Sequence, residues 1–101
     1  MPAAQIEIPK RTLEEFCLRN HVRKLSLFGS VLTNGFRADS DIDMLVEFEP
    51  DSATTYLDLA RMERELGELV GRKVDLRTPQ ELSRYFRDQV LASALVQYER
   101  R

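Results

Sequence analysis

The segment from Thr55 to Val70 is the strongest constraint on how this chain folds. Thr55 and Asp58 have the spacing of a capping box. Tyr56, Leu59, Met62, Leu66, Leu69 and Val70 recur at helical spacing and form one apolar stripe for burial. Gly71 suits the position just past a helix end. Ahead of this helix, Ile42 to Phe48 is nearly continuously apolar through Leu45-Val46, as in a strand buried on both faces. Behind it, Lys73 to Arg77 alternates, with Val74 and Leu76 facing one way and Asp75 the other. A long helix between two strands is the usual crossover between parallel neighbours. An earlier strand, Lys24 to Phe28, ends at Gly29. Its brief connection to the 42–48 strand favours an antiparallel pair.

The remaining elements are read in the same way. Leu13, Phe16 and Cys17 share a helical face, with Thr12 and Glu15 spaced as a capping box. Cys17 reads as a small core residue. His21 falls near the helix end, where a cation suits the dipole. Ser30 to Phe36 reads as a short helical turn followed by the breaker Asn34-Gly35. Thr78-Pro79-Gln80-Glu81 combines a cap, a proline at the first helical position and a closing glutamate, and predicts a helix to about Arg87. A last helix is expected to carry Val90, Leu91, Ala94, Leu95 and Tyr98. The order α-β-α-β-α-β-α-α gives an α/β (α+β) fold: a small mixed three-stranded sheet with flanking helices. At 101 residues a single domain spanning 1–101 is expected, with 1–9 a loose lead-in.

Composition narrows the function. Hydrophobic residues are 43% and charged residues 32% of the chain, a globular balance rather than a disordered one. No apolar run approaches the roughly 18–20 residues of a membrane helix. Met1 to Lys10 lacks the basic start and apolar stretch of a signal peptide, so a cytoplasmic protein is expected. Cys17 is the only cysteine and His21 the only histidine, which excludes an internal disulfide and a site built from several histidines. The net charge of −2 lacks the basic excess of a nucleic-acid-gripping domain, so direct nucleic-acid binding is not expected. The late cluster Arg84, Arg87, Arg100 and Arg101 suits a solvated face better than an RNA or acidic-partner surface.

The chemistry concentrates on aspartates. Asp41 and Asp43, two apart on extended backbone, point to the same face. Two such carboxylates repel, and a bridging divalent cation relieves the repulsion. Magnesium prefers oxygen ligands and is commonly held by carboxylates together with substrate phosphates. Asp75 on the neighbouring strand is a third ligand or a base. Three carboxylates can hold two metals roughly 3.5–4 Å apart, as in-line phosphoryl displacement requires. Gly29 at a strand end lets backbone N–H groups approach a phosphate, Ser30 adds a hydroxyl, and Arg37 adds charge. Neither an Asp-x-Asp pair nor a Gly-Ser step is specific alone. A calcium loop starting at Asp39 fails, because Met44 and Pro50 stand where glycine and glutamate belong. A P-loop fails because no Gly-Lys-Ser/Thr follows Gly29 or Gly35.

The combination is specific. Leu27-Phe28-Gly29-Ser30, ten residues and then Asp41-Ile42-Asp43 resembles the minimal nucleotidyltransferases of the DNA polymerase β superfamily. The flank Phe36 to Val46 and the run Leu69 to Leu76, with Asp75, resemble that family too. The resemblance reaches from about Val22 to Tyr98. It implies the nucleotidyltransferase fold, two Mg²⁺ ions on Asp41, Asp43 and Asp75, and a nucleoside triphosphate, most often ATP. It also implies nucleotide contacts from Gly29, Ser30, Arg37 and Ser40. One departure is Thr33, where many members carry arginine.

The resemblance further implies a partner. Small members are often encoded beside HEPN-domain proteins, and the pair acts as a toxin–antitoxin module and hetero-oligomer. The antitoxin transfers AMP to a tyrosine of the HEPN toxin. The short chain offers no obvious acceptor-binding domain, which fits an acceptor arriving in trans. A non-catalytic antitoxin that neutralises by binding alone is the alternative, with Val90, Leu91, Leu95 and Tyr98 either docking the partner or packing on their own sheet. A second alternative is a transferase that modifies tRNA, which the absent basic excess disfavours.

Overall fold

The computed structural model describes residues 6, 8–33, 35, 37 and 39–100. Among them the order is α1 (Lys10–Arg19), β1 (Val22–Phe28), a 3-10 turn (Gly29–Leu32), β2 (Ile42–Phe48), α2 (Tyr56–Val70), β3 (Val74–Arg77), a second 3-10 turn (Pro79–Glu81), α3 (Arg87–Ser93) and β4 (Leu95–Glu99). The described strands form one mixed sheet in the order β3-β2-β1-β4. β1 is antiparallel to β2, and β2 is parallel to β3 across α2, as the connection lengths require. The sheet has four strands, one more than the sequence predicts, and the α/β class is unchanged.

Register sorts the two faces. Leu25 lies opposite Val46 and Leu27 opposite Met44, while Ile42 and Met44 lie beside Val74 and Leu76. This face is buried against Leu13, Phe16 and Cys17 of α1 and Met62 and Leu66 of α2. Burial pushes the Cys17 thiol up to about 12, which keeps it protonated and inert inside that core. Phe28, Asp43 and Asp75 are consecutive register neighbours on the opposite face. α1 and α2 therefore fill one side of the sheet, and the aspartates lie on the other. Leu45 and Val46 are both buried, as the apolar run implies.

α2 begins and ends as its sequence dictates. The Thr55 hydroxyl accepts from the Asp58 N–H, and Asp58 accepts from the Thr55 N–H. Gly71 has φ +73°, a left-handed conformation that glycine adopts without Cβ strain, and its N–H closes on Gly67 O at 2.9 Å. Hydrogen bonds from the Thr55 backbone and then its hydroxyl hold the Asp58 carboxyl below its usual range. A lowered carboxyl stabilises the fold above the ordinary carboxylate range and loses that contribution as pH falls through the lowered value. Asp58→Asn is therefore expected to melt a few degrees below wild type at neutral pH. The two melting curves should converge on acidification, and a constant gap from pH 7 to pH 3 would contradict this origin.

Five sequence expectations are corrected. β4 replaces the second half of the last helix, so Leu95 and Tyr98 lie on a strand opposite Leu27 and Leu25. The open edge of β1 decides this, since pairing satisfies its backbone and places both side chains on the core. The helix predicted to Arg87 is only the 3-10 turn Pro79–Glu81. Its capping box is present, but the Arg87 guanidinium takes the Pro79 and Leu82 carbonyls at 2.8 and 3.0 Å, and Leu82 turns extended. α1 starts at Lys10 behind Pro9, so Thr12 is not its cap. Tyr56 is 83% exposed and stands outside the buried stripe of α2. The lead-in is not wholly loose, because Ile6 and Ile8 pack on the core. His21, exposed, adopts φ +58° at the α1–β1 turn. Met1 to Gln5, Glu7, Asn34, Phe36, Ala38 and Arg101 lie outside the described residues.

No helix among the described residues is long and apolar enough to cross a membrane.

Candidate active site

The site forms where β1 ends and β2 and β3 begin. Asp43 has Phe28 as its register partner on one side and Asp75 on the other. Register neighbours on adjacent strands are about 4.8 Å apart. Their side chains share the face opposite α1 and α2. Asp41 precedes β2 and is exposed.

Gly29 closes the site from β1. Its φ is +78°, and a Cβ built on it would lie 2.3 Å from Asp43 Oδ2. Glycine suits the position twice, through its left-handed backbone and because a Cβ would push the Asp43 carboxylate aside. Ser30 follows in the 3-10 turn, partly buried, with its carbonyl accepting from both the N–H and the hydroxyl of Thr33 at 2.9 Å. Thr33 therefore closes this turn.

The electrostatics are those of crowded negative charge. Burial, then the charges of Asp75 and Asp41, push the Asp43 carboxyl up, and Arg77 pulls weakly the other way. Asp41 Oδ2 lies 3.8 Å from Lys73 Nζ, and Asp75 Oδ2 lies 3.4 Å from Arg77 Nη2. As these side chains stand, no three acidic groups among the described residues converge closely enough to hold an ion. Oxygen donors from three mutually repelling carboxylates nevertheless fit a hard divalent cation. Such a cation would draw Asp41 and Asp75 away from Lys73 and Arg77.

Arg37 and Ser40 belong to the loop that leads into Asp41. Ser40 Oγ accepts from the Arg37 N–H at 3.0 Å, and the Ser40 N–H donates to Arg37 O at 3.1 Å. Ser40 thus helps to close the loop, and its own hydroxyl proton is left over from that bond. Arg37 is exposed beside it. Arg77 and Lys73 also reach the aspartates, although neither belongs to a motif. Arg77 was legible, since it stands two residues beyond Asp75 on a strand and shares its face. Lys73 was not, because only the parallel pairing of β3 brings it to Asp41.

A cavity of about 500 Å³ flanks Gly29 and is lined by Phe28, Leu32, Thr33, Gln89, Val90 and Ser93. That volume is in the range of small-ligand sites. A larger one, about 590 Å³, is lined by Phe48, Thr54 to Tyr56, Leu59, Thr78, Gln80 and Glu81. Phe48 stands at the far end of β2, and none of the three aspartates lines this cavity.

The fold thus brings together the strand-end glycine, the Asp-x-Asp carboxylate packed on it and a third aspartate one strand over. The chain belongs to the nucleotidyltransferase domain family, whose model matches residues 10–96. A candidate protein adenylyltransferase of Methanocaldococcus jannaschii is 36% identical over 86 residues, covering 85% of this chain and 90% of that protein. A solved structure of a candidate minimal nucleotidyltransferase superposes with TM-score 0.71 at 36% identity, covering 85% of this chain and 86% of that one. The fold also matches, at TM-score 0.64 and 18% identity, a complex of a tri-AMPylated Shewanella oneidensis HEPN toxin with an MNT antitoxin. That match covers 90% of this chain and 70% of the other.

Proposed function

We propose that this chain is a single minimal nucleotidyltransferase domain that moves AMP from ATP to a tyrosine hydroxyl of a HEPN-family partner in the cytoplasm, and so acts as its antitoxin. The observation that carries the reading is the Asp43 carboxylate, seated on Gly29 and facing the charges of Asp75 and Asp41. The likeness to a candidate protein adenylyltransferase supports the reaction class, and the AMPylated complex supports the donor and the kind of acceptor.

Asp41, Asp43 and Asp75 would hold two Mg²⁺ ions. When bound, these supply the positive charge that in-line displacement at phosphorus needs. Gly29 and Ser30 offer backbone and hydroxyl donors to the triphosphate, and Arg37 and the Ser40 hydroxyl add to them. The cavity beside Gly29 has room for the nucleoside. Asp75 takes the proton of the attacking tyrosine hydroxyl, the new bond forms to the α-phosphorus, and pyrophosphate leaves. Most of the catalysis is positioning and charge stabilisation.

Incubation with α-labelled ATP, Mg²⁺ and a HEPN-family protein encoded beside this chain is expected to label the partner. Label on tRNA alone would favour the tRNA-modifying reading. Full neutralisation of the partner by the Asp41→Asn, Asp43→Asn double variant would favour binding alone. Folded protein that labels neither partner nor tRNA would overturn the transferase reading.

A further inference from the structure

Arg72 lies between the end of α2 and the start of β3, far in sequence from Asp41. Its Nη2 donates to Arg37 O at 2.7 Å and also to Ser40 O. Those carbonyls belong to the loop that delivers Asp41 to the site. The same loop is closed on itself by the reciprocal Arg37–Ser40 hydrogen bonds. Directly beside the clamp, the Ile42 N–H donates to Lys73 O at 2.9 Å. One guanidinium thus ties the entry to β2 to the entry to β3, and each strand carries part of the aspartate trio.

The anchor for this clamp is rigid. Gly71 turns the chain out of α2 in its left-handed conformation, and the N–H groups of Gly71 and Arg72 both close on Gly67 O, at 2.9 and 3.1 Å. Arg72 therefore projects from a fixed helix end and not from a mobile loop. Its fork can serve two carbonyls from a single nitrogen, and it keeps its charge at any working pH. Asp41 itself is exposed, and its carboxylate pairs with Lys73 at 3.8 Å. An exposed pair of that length fixes little. The position of Asp41 is set mainly by its backbone, and Arg72 holds that backbone.

We propose that Arg72 is a positioning residue: by clamping the 37–40 loop to the α2–β3 turn it fixes Asp41 against Asp43 and so sets divalent-cation affinity at the site. The metal part of this proposal rests on the function proposed above; the clamp itself does not. Supporting groups of this kind typically change metal affinity or activity by about 10–100-fold when removed.

The test uses the full chain with Arg72→Met and Arg72→Lys. Amide hydrogen exchange is followed at Ser40 and Ile42 without metal, and Mn²⁺ binding is followed by titration calorimetry. In Arg72→Met we expect exchange at both amides to quicken about tenfold or more and the Mn²⁺ dissociation constant to rise about 10–100-fold. Melting should move by only a few degrees. Arg72→Lys, which keeps a donor and the charge, should recover part of the affinity. Should Arg72→Met fail to fold, Arg72→Lys alone should still show intermediate exchange and affinity. Unchanged exchange in either folded variant overturns the clamp. Faster exchange with unchanged Mn²⁺ affinity leaves Arg72 a purely structural residue and overturns its positioning role. A wild-type chain that binds no Mn²⁺ sinks the metal-dependent function, while the exchange measurement still decides the clamp.

Discussion

Asp43→Asn is expected to reduce AMP transfer by at least about 100-fold while leaving the metal-free fold as stable as wild type, or slightly more stable. Metal-borne charge stabilisation is worth several kcal/mol in a transition state, and each 1.36 kcal/mol is about tenfold in rate. The neutral amide keeps the size of the carboxylate but cannot pair with a cation as a charged group. Stability moves the other way because Asp43 is held in an unfavourable environment: burial first, then Asp75 and Asp41, raise its carboxyl. A raised carboxyl binds its proton more tightly in the folded than in the unfolded chain. Stability without metal therefore falls as pH rises from the ordinary carboxylate range through the raised value. Asp43→Asn should flatten that fall. Thermal melting from pH 4 to pH 7 in a chelator, beside transfer assays with labelled ATP, checks both halves. A variant that is inactive and also substantially destabilised would point to a structural aspartate.

Gly29→Ala is expected to cost stability and activity together, and Gly71→Ala serves as its control. Both glycines are left-handed, at φ +78° and +73°. An L-residue in that conformation costs roughly 1–2 kcal/mol. Their surroundings differ. A Cβ at Gly71 would meet nothing within 4 Å, whereas one at Gly29 would lie 2.3 Å from Asp43 Oδ2. The carboxylate is the end of a flexible side chain, so it would swing aside and the fold would survive. Displacing a reacting-centre group by about 1 Å can cost about 100-fold. Gly29→Ala should thus lose roughly that much transfer, while Gly71→Ala loses similar stability and retains most of its activity. Equal activity in the two variants would show that the contact between Gly29 and Asp43 is not part of the catalytic geometry.

The relation between fold and site also explains why the helices stand where they do. α1 and α2 pack on the face that carries Leu25, Leu27, Met44 and Leu76. The aspartates at the Asp43 end of the sheet lie on the opposite face, away from both helices. Leu95 and Tyr98, candidates for docking a partner when read as a helix, instead pack against the core from β4. The binding-alone reading therefore loses those two residues as surface anchors, although Leu91 remains 40% exposed.

By itself the sequence determined the elements whose signals are local. The α2 cap, the Gly71 terminus and the full extent of β2 follow from spacing within a few residues, and the strand directions follow from the lengths of the connections. It also pointed to the three aspartates and Gly29, through the spacing of Gly29-Ser30 to Asp41-Ile42-Asp43 and the alternation of Val74, Asp75 and Leu76. Only the tertiary structure decided the rest. Leu95 to Glu99 became a strand because β1 offered an unpaired edge, a demand that no window of local sequence registers. Arg77 and Lys73 reached the aspartates, and Arg72 reached the loop before Asp41, because the parallel pairing of β2 and β3 folds distant segments together. Gly29 marked a strand end, but only the fold brought Asp43 Oδ2 within 2.3 Å of where another residue's Cβ would stand. Local periodicity sets which way a side chain points; which charge it meets there is set by the pairing of strands far apart in the chain.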